Sequence, residues 1–446
     1  MASDVETCLR VLAEARAADP DDERWRPVRE AAAQVYQAGK KARKAARNAD
    51  RRRHDDVVTA ATERHRDQNP DSAPPVTPSL GPATRLRPLA GTRRCYVCKA
   101  VYGQVHSVYH LLCPACAEEN LARRTARCDL RGRRALITGG RVKIGFQTAL
   151  KLLRDGAEVF VTTRFPADAA RRYAAVPDAA DWLDRLHVHG VDLLDLPGVA
   201  GLLETVHERF DHLDVLVNNA AQTIRRPAAY HREVRAAESL PLAGPAARIS
   251  VTAGAPATAV ARLEASSGEL ESLFPAGLLD ETGEPLDLRD RNSWSLRLHE
   301  VDAAEWLEVQ LVNAFAPFLL TSRLRGLLEA SPHPDRYVVQ VSAMEGSFSR
   351  ANKTVRHPHT NMAKAALNML TRTAAPDYAA SGIHMNSVDT GWCTDERPHP
   401  ERAASRFRPP LDVIDGAARV YDPVVRGVGG DPVSGLFLKD YRSVEW

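Results

Sequence analysis

Ala135-Leu136-Ile137-Thr138-Gly139-Gly140-Arg141-Val142-Lys143-Ile144-Gly145-Phe146 is the stretch whose reading decides the fold. Ala135 to Thr138 read as a short buried strand, and Gly139 and Gly140 open a turn. Beyond Gly145, residues Ala149, Leu150, Leu152 and Leu153 recur with a helical period. A strand, a glycine-bearing turn and a helix in that order aim backbone donors and a helix terminus at one point, which suits a pyrophosphate.

The chain around this stretch has 446 residues, a formal charge of +3 and 44% hydrophobic composition, enough for a substantial core and at least one appended module. Residues 1–67 are expected to be a helical extension. Val5, Leu9, Leu12 and Ala15 mark one amphipathic stretch, and Trp25, Val28, Ala32 and Val35 a second. The basic run from Lys40 to Arg53 has no aromatic platform beside it, so nucleic acid is not expected as a partner. Prolines make residues 68–92 an expected linker. No apolar run reaches membrane-spanning length and no signal-like start is present, so a cytoplasmic protein without membrane contact is expected.

Cys95-Tyr96-Val97-Cys98 and Cys113-Pro114-Ala115-Cys116 define a module over residues 93–128. Two closely spaced thiol pairs converge naturally on one ion, and four sulfurs satisfy the tetrahedral preference of zinc, leaving no open position for catalysis. His106 and His110 lie between the pairs and are read as ordinary turn or surface residues.

Asp214-Val215-Leu216-Val217-Asn218-Asn219-Ala220-Ala221, the strand Tyr337-Val338-Val339-Gln340-Val341-Ser342, and His359-Thr360-Asn361-Met362-Ala363-Lys364 follow in order. With the glycine-bearing turn they resemble the short-chain dehydrogenase/reductase family. The resemblance implies an α/β fold, a Rossmann-like doubly wound parallel sheet over residues 130–446 that binds a nicotinamide dinucleotide. Thr138, Gly139 and Gly145 match the family's turn, with Gly140 and Ile144 beside them, but Lys143 stands where its middle glycine belongs. Arg164 ends the second strand without the acidic residue that favours NAD, so NADP is the expected cofactor and NAD the alternative. Asp192 matches the position near adenine, Asn219 and Ala220 are expected beside the cofactor, and Asn218 supports the sheet. Gly391 and Thr394 fall where the nicotinamide end is held.

On the same resemblance, Asn313 supports a water and the lysine, Ser342 holds the substrate oxygen, and Lys364 bonds the nicotinamide ribose. The residue one turn before that lysine is normally the catalytic tyrosine. Here it is Thr360, whose aliphatic hydroxyl is a poor acid or base near neutral pH. Three accounts stay open: His357 or His359 supplies the proton; a substrate group, a water or a residue of the insertion supplies it; or the domain binds cofactor without turnover. Residues 225–299 are an expected insertion beside the active-site mouth, with a strand-like stretch at Arg248–Thr252 and a helical face at Leu263, Leu270 and Leu273. The leading expectation is an NADP-dependent oxidoreductase acting on a small-molecule carbonyl or alcohol with a nonstandard proton donor. The alternatives are a silent cofactor-binding regulator or scaffold and a nonredox enzyme. The family implies a homo-oligomer paired through the helices carrying Asn313 and Lys364, and the insertion and N-terminal module offer protein-partner surfaces.

Overall fold

The strand predicted at Ala135–Thr138 is β3 (Arg134–Thr138), and it lies inside a nine-stranded sheet. The computed structural model describes residues 2–66, 86–252, 272–280, 283–405 and 407–446. In chain order the other strands are β1 (Arg87–Arg94), β2 (Val101–Val105), β4 (Glu158–Thr163), β5 (Leu186–Gly190), β6 (Val215–Asn218), β7 (Ser250–Thr252), β8 (Arg336–Ser342), β9 (Ile383–Asp389), β10 (Phe437–Lys439) and β11 (Arg442–Val444). The sheet runs β11-β10-β9-β8-β6-β3-β4-β5-β7, parallel except for β11. Both faces are covered, which is why its central strands are apolar without alternation. On β3, Ala135 and Ile137 join one buried cluster with Val159 and Val217, while Leu136 joins the other with Phe160 and Leu216.

The segment between β6 and the helix beginning at Ala303 does more than flank a mouth. It travels from the middle of the sheet to its edge, where β7 pairs with β5, and it returns across the ends of the strands. It is strapped down by Arg141–Glu284 at 2.5 Å, Arg225–Glu308 at 2.8 Å and a bond from Asn292 Nδ2 to Glu396 O at 3.0 Å. The strand-like reading of Arg248–Thr252 corresponds to β7. Leu263 and Leu270 lie outside the described residues.

The N-terminal helices are Ala2–Ala17 and Arg26–Ala60. Arg29 of the second caps the end of the first by donating to Ala15 O at 3.2 Å and holds the turn that follows through Pro20 O and Asp19 O, each at 2.6 Å. Near the far end of the long helix, Asp55 accepts the N–H groups of Ala90 at 2.7 Å and Gly91 at 3.2 Å and so pins β1. Residues 87–92 are therefore strand rather than the linker expected to reach 92; residues 67–85 lie outside the described residues.

The cysteine module is fused to the main domain by buried polar contacts. Tyr109 Oη donates to Asp415 at 2.6 Å, Arg124 donates to Asp412 at 2.6 Å and Asp415 at 2.8 Å, and Arg419 donates to Asn120 at 2.7 Å. Both Asp412 and Asp415 serve the first turn of the helix Val413–Val428 as a capping box, so the same carboxylates start a helix and hold a module. Asp415→Ala is expected to destabilise the protein by about 3–5 kcal/mol, because buried Arg124 loses one of its two carboxylates, the Tyr109 hydroxyl loses its acceptor and the capping box is broken; chemical denaturation followed by far-UV circular dichroism checks this.

Candidate functional site

A cavity of about 1880 Å³ runs along the carboxyl ends of the parallel strands, from Arg164 and Asp192 at one end to Lys364 and Gly391 at the other. Its floor is a lock between two chain crossings. Thr138 Oγ1 accepts the N–H groups of Asn219 and Ala220, each at 3.0 Å, and Asn219 Nδ2 donates to Thr138 O at 3.0 Å and Gly139 O at 3.1 Å. Gly139 has φ +70°. A Cβ on Gly145 would lie 2.2 Å from Gly139 O and 2.4 Å from Asn219 Nδ2, so only glycine lets the helix Lys143–Arg154 start this close. Tyr173 Oη donates to Gly140 O at 2.6 Å from beneath. Lys143, at the expected glycine position, has φ +54°, the left-handed conformation that glycine adopts without strain. Its ammonium reaches Glu396 at 3.9 Å across the mouth.

At the Asp192 end Arg164 is exposed to the cavity. Its Nη2 lies 3.4 Å from Nε2 of His231, a residue of the crossing segment that sequence reading did not single out. Burial, reinforced by Arg164 and Arg141, keeps that imidazole neutral. Asp192, Tyr230 and Arg235 complete this wall.

The Lys364 end of the cavity departs from expectation at Asn313 and Thr360. Ser342 ends β8 and lines the cavity, with its hydroxyl donating to Asn368 Oδ1 at 2.5 Å. Asn313 sits in a π-helical turn, Leu311–Phe315, and grips the backbone of Gln222 on both sides, at 2.6 and 3.0 Å, rather than lining the cavity. Thr360 lies in the first turn of the helix Pro358–Ala380, buried with its hydroxyl unpartnered and outside the cavity lining. Lys364 does reach the cavity; its ammonium donates to Val341 O at 2.7 Å, and burial pushes its pKa down to about 8 against the opposing pull of Glu345.

The two histidines separate. His359 is buried with Nε2 3.4 Å from Glu305 and does not line the cavity. His357 does line it, stacked on Trp294 at 4.0 Å, with Nδ1 3.1 Å from Asn361 Oδ1. His357 caps its helix at φ +43°, a left-handed conformation that is strained for histidine. Burial lowers its pKa, and Glu345 pulls the other way. Gly391, at φ +77°, donates its N–H to Asp389 at 2.8 Å, and Thr394 donates to Glu396 at 2.8 Å. Cys393 lines the cavity too, but burial raises its pKa and keeps the thiol protonated.

Cys95, Cys98, Cys113 and Cys116 place their sulfurs within 4.8 Å of one another. The Cys98–Cys113 separation of 3.6 Å is close to the roughly 3.8 Å edge of a tetrahedron with zinc–sulfur bonds of about 2.3 Å. Cys113 N–H donates to Cys95 Sγ at 3.3 Å, as a thiolate ligand would favour. These residues fit a structural metal ion. His106 and His110 are outside the cluster, bonded to Val108 N and Arg408 O. A second grouping, His212, Asp214 and His333, lies at the opposite ends of the strands. There His212 Nδ1 lies 2.9 Å from an Arg134 guanidinium and 2.7 Å from Asp211, and Asp214 accepts the Arg134 N–H at 2.7 Å and the Ser331 hydroxyl at 2.6 Å, so these groups are already held by protein partners.

Residues 133–240 match the short chain dehydrogenase family model, and residues 291–405 match that of Enoyl-(Acyl carrier protein) reductase. The chain belongs to the short-chain dehydrogenase/reductase family. The stretch between the two matches, 241–290, lies within the crossing segment, so this family member departs from its models there. "Uncharacterized protein R665" of Acanthamoeba polyphaga mimivirus is 33% identical over 351 residues, covering 74% of this chain and 71% of that protein. Carbonyl reductase [NADPH] 1 of Sus scrofa is 32% identical over 167 residues, which is 33% of this chain and 55% of that enzyme's length. The NADPH-bound carbonyl reductase structure from chicken fatty liver has a TM-score of 0.47 at 18% identity, covering 71% of this chain and 100% of that one. Among the described residues no helix is long and apolar enough to cross a membrane.

Two stability effects follow from this short-chain dehydrogenase/reductase site. Lys143→Gly relieves the left-handed strain and is expected to stabilise the protein by up to about 1 kcal/mol, read as a higher urea midpoint with an unchanged slope. Lys364 titrates near 8 when folded and near 10.4 when unfolded, so the unfolded chain binds more protons between those values and the lysine's contribution to stability rises with pH there. Lys364→Met is therefore expected to be more stable than the parent at pH 7 by up to roughly 3 kcal/mol, an advantage that shrinks from pH 8 to pH 10.5 in paired denaturation curves.

Proposed function

We propose that the protein is an NADP(H)-dependent oxidoreductase interconverting a carbonyl and an alcohol, with His357 as the proton-transfer group in place of the family's tyrosine. The carrying observation is the convergence of His357, Glu345 and Lys364 on the cavity while Thr360 is buried away from it. Bound in the groove, the nicotinamide dinucleotide supplies or accepts the hydride. Arg164 is the assigned contact for its 2′-phosphate, with Gly139, Lys143, Ile144 and Gly145 around the pyrophosphate and Asp192, Asn219, Ala220, Gly391 and Thr394 along its length, while Gly140, packed against Val161, stands behind the lining.

With Nδ1–H donated to Asn361 Oδ1, His357 turns Nε2 toward the cavity as the atom that gives or takes the proton. Trp294 fixes the ring plane, and the Glu345 carboxylate favours the charged form that reduction needs. The Lys364 ammonium, held by Val341 O, keeps its other protons for the ribose and the substrate oxygen. His359, held at Glu305, serves as a buttress in this reading. Zinc is the assigned metal of the four cysteines, with a structural role. Leu307, Phe315, Phe318, Met362 and Met369 are exposed on the helices carrying Asn313 and Lys364, which supports pairing of two chains through them.

The Ser342 hydroxyl, whose proton is committed to Asn368, and the buried Thr360 favour the second reading, a domain that binds cofactor without turnover. Carbonyl reduction, measured by NADPH absorbance across pH, separates the two. If His357 is the donor, the rate falls as pH rises through a value below the ordinary 6.5, alcohol oxidation rises through the same value, and His357→Gln lowers turnover by about 10²–10⁴-fold. NADPH binding with no oxidation of any carbonyl substrate offered selects the silent reading.

A further inference from the structure

The knuckle between the cysteines does not stop at the metal cluster. Tyr96, flanked by Cys95 and Cys98, leaves the sulfurs and lines the nucleotide cavity beside Trp392. Its Oη accepts the N–H of Trp392 at 2.9 Å, while its own N–H donates to Leu111 O at 2.8 Å inside the knuckle. Gly391 is pressed on the same side: a Cβ there would lie 2.5 Å from Leu411 Cδ1 and 3.6 Å from Tyr96 Oη. Leu411 belongs to the knuckle's own core with Tyr109 and Leu112. From the other side, Asp389 accepts the Gly391 N–H at 2.8 Å and is itself paired with Lys439 at 3.0 Å. Gly391 and Trp392 are therefore clamped between β9 and the metal-binding knuckle.

We infer that Tyr96 is a positioning residue of the nucleotide cavity, through which the metal in the knuckle sets dinucleotide affinity. Four thiolates drawn to one ion fix the backbone on both sides of Tyr96 and hence its phenol. The phenol in turn occupies the Trp392 N–H, in a segment that turns on a left-handed glycine. This rests on the nucleotide-binding reading above.

The test uses the full zinc-loaded chain and NADPH, whose fluorescence reports binding, with metal content and melting temperature measured on the same samples. Tyr96→Phe keeps the ring and removes most of the acceptor strength. It is expected to raise the Kd for NADPH roughly five- to tenfold, the scale of one hydrogen bond, with metal content and melting temperature unchanged. Chelating the metal from the parent chain should raise Kd at least as far, reloading should restore it, and chelating Tyr96→Phe should add little, because both act through one contact. A parent chain that binds NADPH while Tyr96→Phe binds equally well overturns the inference alone, as does a chelated parent with undiminished affinity. A parent chain that binds neither NADPH nor NADH overturns the nucleotide reading and the inference together.

Discussion

The four hydrogen bonds that tie Thr138 and Gly139 to Asn219 and Ala220 are the constraint on which the site depends. They bring the turn after β3 against the end of β6, so the helix at Lys143 must begin in contact with a backbone carbonyl. Gly145 is then the residue that fits, and the groove opens above it. Each other part of the site is placed against this crossing, from Arg164 at the end of β4 to Lys364 beneath the end of β8.

Around that floor, acidic residues do double service. Asp412 and Asp415 start a helix and receive Arg124 and Tyr109 from the cysteine module. Asp389 takes the N–H groups of Met344 and Gly391 as well as the Lys439 ammonium. Shared carboxylates make neighbouring elements cooperate, since one cannot move without stranding another's partner in the interior. The module, the crossing segment and the sheet consequently act as parts of one cavity wall.

The parallel sheet, the glycine turn, the Asn-Asn-Ala segment and the paired cysteines were legible because each is a local pattern with its own period or spacing. Lys143 was legible as a misfit, and its left-handed backbone explains how a lysine occupies a glycine's place. The partner of Ser342 was not legible: its hydroxyl is taken by Asn368, on a helix further along the chain, which no local pattern announces. Nor does sequence separate His357 from His359. They are two residues apart at a helix start, and only the cap geometry sends one to the cavity and the other to Glu305. Tyr96 and His231 arrive by long-range docking, which leaves no periodic trace.

The extra strand carries a consequence for how the protein behaves in crowded solution. With β7 added beyond β5, and β11 turned antiparallel beyond β10, both borders of the nine-stranded sheet are strands of three residues, Ser250–Thr252 and Arg442–Val444. Such short borders present few unpaired backbone groups, whereas the five-residue β5 would otherwise stand open as a template for another chain. The crossing segment thereby guards an apolar sheet against edge-to-edge aggregation.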